Sequence, residues 1–537
     1  MAAFQRAIHP KSKLPDRSFD SRAALIGEML NCLPENSILE SLSEKYLVNL
    51  ETVLRVVHIP TFRKQISEIQ AWRSSAGTTL PPHIHESILA QLLSVISISA
   101  RLSDSTDFRS AVQQLSEEQI ARPNNLVQKW LDGLKGKERL HMDALRAQTL
   151  LLIAQSIKQA SSQALWKEAG TLVRTAMTMG FHRDPETSPG LPPFEKEQRR
   201  KLWQTIVELD LQYSLALGMP TAVQSSDYNS NPLLHVDDDR LIQDMSAYPE
   251  EQPGGEWSEA IPQILLGSVM RPRLDAANIL ARDVVFPRDA HKILSLARNL
   301  ENGLRSLQSF SASHLKKQQR LFSNVMLDVH LRRPALALYQ IIALSDQASK
   351  YPEARKGALR CSVAILSHLD ALDPAVADLD TIKSKDYLNF FHIIYKNDIL
   401  QSALLLCHEI RAFNKQSVSS TLDPALTENM TDESIPWTKH SLTRIVENTL
   451  NSLLQRLGEF GSCLKVILPL SIILQSVRSD GTPDGKRDLM MRGAERVLHT
   501  CRKVLPPPEI QGKICPNGNT PGMQMVCITF VPSCLSC

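Results

Sequence analysis

The chain has 537 residues, 43% hydrophobic and 22% charged, with 60 Lys and Arg against 57 Asp and Glu and a net charge of +3. That length can bury a large core, and this balance excludes a disordered chain and lacks the concentrated basic surplus of a nucleic-acid-binding domain. Aromatics are sparse at 5%, and the abundant Leu, Ala and Gln favour helices over sheets.

Residues 1–30 are polar and basic and read as a mobile tail, without the apolar core of a secretory signal. The folded part opens with Ile38, Leu39, Leu42, Tyr46 and Leu47 at helical spacing. Ile59-Pro60 starts a helix that runs to about Trp72, 76–82 is a turn, and 84–101 is apolar enough for a core helix. After a more polar stretch at 103–123, residues 126–134 and 142–159 read as two more helices.

The chain is organised around 165–227. Trp166, Ala169, Leu172, Val173, Ala176, Met177 and Gly180 recur every three or four residues, which makes one stripe of a helix. Gly180 sits where a left-handed C-terminal residue is needed, and Pro185 forbids continuation. A second helix follows Pro192-Pro193, with Glu195 and Glu197 in its first turn and Leu202, Trp203, Ile206, Leu209 and Tyr213 inward. Gly218-Met219-Pro220 ends it. Asp210 shares the stripe of Trp203, Ile206 and Tyr213, so it should be buried and need a cation. Arg174 is the first candidate and Arg200 the second.

Residues 227–256 hold prolines, acids and little periodicity, as a long surface loop does. Helical patterning resumes at 261–412, including a helix at 321–334 that should end at a His330-Leu331-Arg332-Arg333-Pro334 corner. A Ser/Thr-rich acidic insert, helices at 440–477 and 487–505, and a proline-rich, irregular tail complete the chain. The expected organisation is a 1–30 tail, a 31–257 domain, a 258–412 continuation, a 413–437 flexible insert, 438–505 C-terminal helices and a 506–537 tail. No sustained period-two alternation and no fixed-period repeat occurs. The fold class is all-α, a single large helical assembly with a central antiparallel helix hairpin.

Nine cysteines, an odd number without a secretory signal, point to free thiols in a reducing compartment. The longest apolar run, 466–477, is broken by Pro469 and is too short to span a bilayer, so a soluble intracellular protein is expected.

Several motifs mimic catalytic ones. His182-Arg183-Asp184 copies a kinase tripeptide, but no glycine-rich loop, strand lysine or D-F-G accompanies it. Arg183 or Asp184 capping the interhelical corner is the alternative. Cys407-His408-Glu409 places Ala412 where H-E-x-x-H needs its second histidine, so a helix surface beside a buried thiol is expected. His83 and His85 form an H-x-H pair that alone fits solvated loop residues. Nucleotide-binding and hydrolase glycine motifs are absent. Cys534-Leu535-Ser536-Cys537 lacks the spacing and histidine partners of a zinc site. Arg199-Arg200-Lys201 and 314–320 are basic clusters, readable as import signals, phosphate contacts or solvated helix faces.

One order of motifs carries a resemblance. Trp166, then Arg174, Gly180, His182, Arg183 and Asp184 in R-x-A-x-x-M-G-F-H-R-D-P, are followed by Arg199, Arg200 and Trp203 in P-F-E-K-E-x-R-R-K-L-W. Asp210 in L-D-L-Q-x-S and Gly218 and Pro220 in G-M-P come next. Upstream stand His58, Pro60 and Phe62 in H-x-P-T-F, and downstream Val236-Asp237-Asp238-Asp239-Arg240-Leu241. This order resembles the middle homology region of fungal-specific transcription factors, well over 35–245 and loosely over 260–410. The resemblance implies a nuclear regulator of transcription, not an enzyme, whose motif residues are structural.

The family's DNA reader is a zinc cluster of six cysteines, in which two tetrahedral zincs share six thiolates. Only Cys32 lies in the first 360 residues, so no such site forms here and no cofactor is expected. The chain is therefore expected to work through a protein partner. That partner would be a complete factor in a homo- or heterodimer or a co-regulator; DNA would be reached indirectly, with a small-molecule effector and no membrane. The alternatives are a metabolite-binding protein or biosynthetic enzyme on the same scaffold, or a truncated gene model of a complete DNA-binding factor.

Overall fold

The computed structural model describes residues 17–504 apart from 76–79, 82–83, 103–116, 158–160, 189, 228–230, 254–255, 285–287, 315–320, 374–375, 377–382, 421–436, 459–463 and 479–482. Among the described residues the chain forms eighteen α-helices and no β-strand. It divides into two compact units, where the sequence suggests one assembly. The first comprises 1–156, 168–209 and 229–264; the second comprises 157–167, 210–228 and 265–537.

The first unit opens with α1 (Arg17–Asn31), α2 (Asn36–Asn49) and α3 (Ile59–Ser74). It continues with α4 (Ser87–Leu102), α5 (Glu117–Gly133) and α6 (Met142–Ile157). In α2, Leu39, Leu42, Ser43, Tyr46 and Leu47 are buried, the i, i+3, i+4, i+7, i+8 stripe of a helix with one inner face. α1 corrects the reading of 1–30 as tail throughout. Met29 is fully buried, and Arg22 donates to Glu86 (2.9 Å) and Glu138 (3.0 Å), so ionic anchors supply what an even apolar stripe does not. α5 begins well before residue 126 and carries Pro123 inside it.

Two long helices pass from one unit to the other, α7 (Ser162–Thr178) and α8 (Pro193–Leu217). They run antiparallel. Arg199, near the start of α8, donates to Met179 O (3.2 Å) just past the end of α7, and Trp166 in α7 donates to Pro220 O (3.1 Å) beyond α8. From Arg200 to Gln212 every residue of α8 is buried, where the sequence pattern suggests a single inner stripe. A helix enclosed on all sides must find partners for each of its charges.

The second unit holds α9 (Ile261–Ser268, shared with the first), α10 (Met270–Leu280), α11 (Ala290–His314), α12 (Leu321–Ala343) and α13 (Pro352–Leu372). α14 (Lys383–Ile394), α15 (Lys396–Ser420), α16 (Lys439–Gln455), α17 (Leu464–Arg478) and α18 (Pro483–Val504) complete it. α12 does not stop at Pro334, as the sequence suggests, but runs through it to Ala343. Proline removes the N–H that would bond His330 O one turn earlier. Arg273 of α10 donates to that carbonyl (3.3 Å) instead. α17 likewise continues through Pro469. Most of the expected flexible insert and all of the expected tail lie outside the described residues. No described helix is long and apolar enough to cross a membrane.

Candidate functional site

The most concentrated chemistry in the first unit is a buried charge cluster built from three distant segments. The link after α2 supplies Glu51, Arg55 and His58; α8 supplies Lys201; a 3₁₀ turn at Asp238–Arg240 supplies Asp238. Glu51, Arg55, Lys201 and Asp238 are each 0–2% exposed, a depth at which charges persist only when paired.

Asp238 spends every polar atom it has. Its Oδ1 meets Arg55 Nη2 at 2.6 Å and also Lys201 Nζ, and its Oδ2 accepts the Ile59 N–H at 3.1 Å. Its own N–H donates to Glu259 (3.2 Å), and its carbonyl lies 2.8 Å from His58 Nε2. Since a carbonyl only accepts, His58 carries its proton on Nε2, and Nδ1 accepts from the Thr61 hydroxyl at 2.7 Å. Burial alone would raise the Asp238 carboxyl, but Arg55, Lys201 and His58 outweigh it and hold it well below the usual carboxylate range. Burial lowers His58 and, with the help of Arg55, lowers Lys201.

Glu51 works on the link itself. Its Oε1 accepts the N–H groups of Val56 (2.7 Å) and Val57 (2.9 Å), and its Oε2 accepts from Tyr46 OH (2.8 Å). Burial pushes this carboxyl up to about 8, against the pull of Arg55, Tyr46 and the Val57 N–H. Thr205 Oγ1 donates to Arg55 O (2.8 Å), and Gln263 donates to Lys201 O (2.7 Å), closing the cluster on α8.

A second cluster joins it at the corner between α7 and α8. Gly180 has φ +79°, a conformation that costs a residue with a Cβ roughly 1–2 kcal/mol. Arg199 stacks over Phe181, 4.6 Å from the ring centroid. Asp184 caps the Pro185–Thr187 turn through the Glu186 N–H (2.9 Å) and accepts the Asn231 N–H (2.8 Å). Arg200 ties Asp184 (3.1 Å), Glu186 (2.9 Å) and Glu197 (3.3 Å) together, and Glu197 accepts the Leu234 N–H at 2.9 Å. Hydrogen bonds from Lys196, Tyr248 and Arg200 bring Glu186 down to about 2.

The two clusters together hold a strap, described over 231–253 and 256–259, whose one regular turn is at Asp238–Arg240. Asp184, Glu197 and Glu259 take the backbone N–H groups of Asn231, Leu234 and Asp238. Asp237 stitches the strap to itself through the Glu259 N–H (2.7 Å) and Gln252 (2.9 Å). Helix supplies its own hydrogen bonds; this segment combines a few local turns with N–H groups that bond to carboxylates. The arrangement is a clasp in which positive and negative groups interdigitate.

Three of the motifs singled out in the sequence meet here: His58, Pro60 and Phe62; Arg199 and Arg200, with Trp203 buried behind them; and the Asp237-Asp238 segment. Pro60 stands in the first turn of α3 and Phe62 is 1% exposed. His58 meets Phe194 edge to face at 5.0 Å. The Arg199-Arg200-Lys201 run is neither a solvated face nor an accessible import signal, since Arg200 and Lys201 are buried.

The G-M-P motif belongs to the second unit. Gly218 has φ +63°, and Ser214 and Trp166 both donate to Pro220 O. Asp210 is fully buried, and its Oδ2 accepts the Ala222 N–H at 2.7 Å. The two cations proposed for it are engaged elsewhere: Arg174 is exposed and donates to Gly170 O of its own helix, and Arg200 belongs to the corner cluster. Arg183 is exposed and His182 half-buried.

Among the described residues no group of His, Cys, Asp or Glu could hold a metal ion. Glu409 pairs with Arg355 (2.5 Å) beside the buried Cys407, and His85 bonds Ser87. His83, residues 315–320 and the tail cysteines lie outside the described residues. Sequence reasoning missed Glu51, Arg55 and Glu259 and misjudged Lys201. A usable signal was present in Leu50–Val57, where two charges sit inside an otherwise apolar run.

Comparison with known proteins places these features. Residues 44–267 match the fungal specific transcription factor domain, which includes every member of the clasp. The chain is 25% identical over 468 residues to the transcription factor opdR of Penicillium oxalicum, covering 84% of this chain and 57% of that protein. It is 24% identical over 510 residues to the transcription factor lepE of Aspergillus flavus, covering 92% and 58%. It is 29% identical over 316 residues to the aspyridones cluster regulator apdR of Emericella nidulans, covering 56% and 40%. The chain thus spans less than two thirds of the length of these curated relatives. No solved structure matches it.

Proposed function

We propose, with residues 44–267 as a fungal specific transcription factor domain, that this chain regulates transcription in a fungal nucleus and acts through protein contacts. The observation that supports this best is the match across 84% and 92% of the chain to two proteins named transcription factors. The likeness to an aspyridones cluster regulator extends the proposal to the genes of one biosynthetic cluster. The chain holds one cysteine in its first 360 residues, so these residues supply no six-cysteine zinc cluster. In this reading the DNA contact comes from a partner or from a segment beyond these residues, and this chain supplies the regulatory part.

The clasp fits that role rather than catalysis. Its buried carboxylates Asp238 and Glu51 are engaged by cations, backbone N–H groups and a tyrosine hydroxyl, and a catalytic acid or base must instead reach a proton on its substrate. Its work is to set the shape of the domain.

Fusing the chain to a heterologous DNA-binding domain, with a matching promoter and reporter in yeast, tests the proposal. A several-fold change in reporter output, up or down, is expected. A stable, nuclear fusion that leaves the reporter unchanged would refute it. Deleting the gene and measuring transcripts then tests the finer reading, which expects a contiguous set of genes to change together.

A further inference from the structure

The carboxylates of the clasp are engaged, but its central cation is not. Arg55 is 1% exposed, and a guanidinium keeps its charge at any depth. Its Nη2 makes charge contacts with Asp238 (2.6 Å) and Glu259 (3.6 Å). Its Nε and Nη1 meet no hydrogen-bond acceptor among the described residues. Buried donors in this state are rare in folded chains, because each has given up water without return.

Other buried atoms of the same cluster share that state. Gln263 Nε2 donates to Lys201 O (2.7 Å) and to Thr205 Oγ1 (3.0 Å), which in turn donates to Arg55 O. A carbonyl only accepts, so these partners fix the amide's orientation and leave Gln263 Oε1 with no donor. Ser258 stands next to the Glu259 that approaches Arg55; it is fully buried, and its hydroxyl has no partner. Gln198 accepts from Arg146 at its Oε1, while its buried Nε2 is unserved. These atoms come from the link after α2, from α8, from the end of the strap and from α9, the elements that the clasp draws together.

The charge balance points the same way. At 0–2% exposure Arg55 and Lys201 face one ionised carboxylate, Asp238, since Glu51, raised to about 8, keeps its proton at neutral pH. Burial lowers His58, and Arg146 on α6 is matched by Asp143 (2.9 Å). Glu259 is a further carboxylate near Arg55, but its side chain is 44% exposed and water screens it. A singly charged anion would balance the buried surplus. A doubly charged one would be repelled by Asp238 and Glu259. The edge of a guanidinium takes the two oxygens of a carboxylate in parallel N–H···O bonds.

We propose that Arg55 is the binding site for a small monocarboxylate effector, whose polar substituents Ser258 and Gln263 would serve. Arg55 is enclosed, and its neighbours Asp238 and Glu259 belong to the strap, so the ligand enters only as the strap lifts. Occupancy is then coupled to strap closure. This deepens the reading of the chain as a regulator by naming a class of effector, and it rests on that reading only for its biological meaning.

Thermal unfolding of the full chain, at fixed pH and ionic strength, tests it with sodium acetate, sodium lactate, sodium phosphate and sodium chloride. Acetate and lactate should raise Tm along a saturating curve, as a ligand of the folded state does. Chloride and phosphate should give no saturating rise. Arg55→Lys keeps the charge but loses the planar fork, and it should weaken both carboxylates about tenfold or more. If that variant does not fold, carbon-13 relaxation of labelled acetate with the parent chain decides instead. Enhancement that saturates at one acetate per chain, and that unlabelled lactate but not chloride reverses, supports the site; enhancement without saturation overturns it.

No saturating effect of either carboxylate would overturn the proposal and leave the Arg55 donors to ordered water. Equal saturation by chloride or phosphate, or an unchanged curve in a folded Arg55→Lys, would overturn it too. Saturable acetate binding beside a silent reporter fusion would refute the transcriptional reading and leave the site standing. An active reporter without carboxylate binding would do the reverse.

Discussion

Both units bury charge, but they use it on different kinds of backbone. In the first, Arg55, Lys201 and Asp238 fasten a strap whose backbone is regular only at the short 3₁₀ turn Asp238–Arg240. In the second, charges join one helix to another. Arg333 of α12 grips Asp398 of α15 through two contacts (2.7 and 2.5 Å), and Asp328 of α12 binds Arg332 (2.6 Å) in its own helix and His368 of α13 (2.8 Å). The difference lies in what remains when one partner is lost. Asp398 sits in the first turn of α15, where the helix dipole still favours a negative charge. Asp238 also meets a helix N-terminus, through the Ile59 N–H at the start of α3, but it is the shared counter-ion of two buried cations, of which only Arg55 has a second carboxylate, Glu259, at 3.6 Å.

The sharpest way to break this contrast is Asp238→Asn. It leaves Arg55 and Lys201 buried without their shared counter-ion and should cost about 3–5 kcal/mol in urea unfolding. A loss below about 1 kcal/mol would show that the cluster relaxes or hydrates freely.

Next comes pH. Glu51 has its folded value raised to about 8, above the usual carboxylate range. The folded state then holds a proton that the unfolded chain has released, so stability falls as pH rises from about 4.5 to about 8. Asp238 contributes the opposite sign, but only at acid pH. Its lowered value gives stability that is present above about 4 and is lost as pH falls below the usual carboxylate range. Glu51→Gln should therefore flatten the decline in Tm between pH 5 and 8, and parallel curves for parent and variant would show that Glu51 is ionised.

Arg333→Met should cost less than Asp238→Asn, about 1–3 kcal/mol, because it leaves one carboxylate at the start of α15 rather than two buried cations. Equal losses at the two sites would erase the distinction between strap and helix. The smallest effect belongs to Arg174→Ala. An exposed side chain folded back on its own helix should change stability by no more than about 0.5 kcal/mol. A loss of several kcal/mol would restore Arg174 as a structural partner.

Much of the helical frame could be read from periodicity, since α2, α6, α7 and α8 each carry an apolar stripe or caps at the right places. Gly180 and Gly218 announce their left-handed turns because few other residues tolerate them. The prolines misled. Pro334 reads as a stop, and only Arg273, 61 positions earlier in the chain, explains why α12 continues. The clasp was half legible. His58, Arg200 and Asp238 belong to motifs that stand out in order, yet no local signal tells that Arg200 turns to Asp184 and Lys201 to Asp238. Side chains two adjacent positions apart in role are separated by the 100° step of the helix, and their partners come from segments far away in sequence.

That distance also has a consequence in time. His58 and Asp238 are 180 residues apart in the chain. A ribosome adding about 5–20 residues per second needs roughly 9–36 s to cover that interval. Through that interval a nascent chain has made Glu51 and Arg55 but not the strap that matches them. The apolar link around Val53–Val57 waits as well, and the clasp is complete only once Glu259, which takes the Asp238 N–H, has been made.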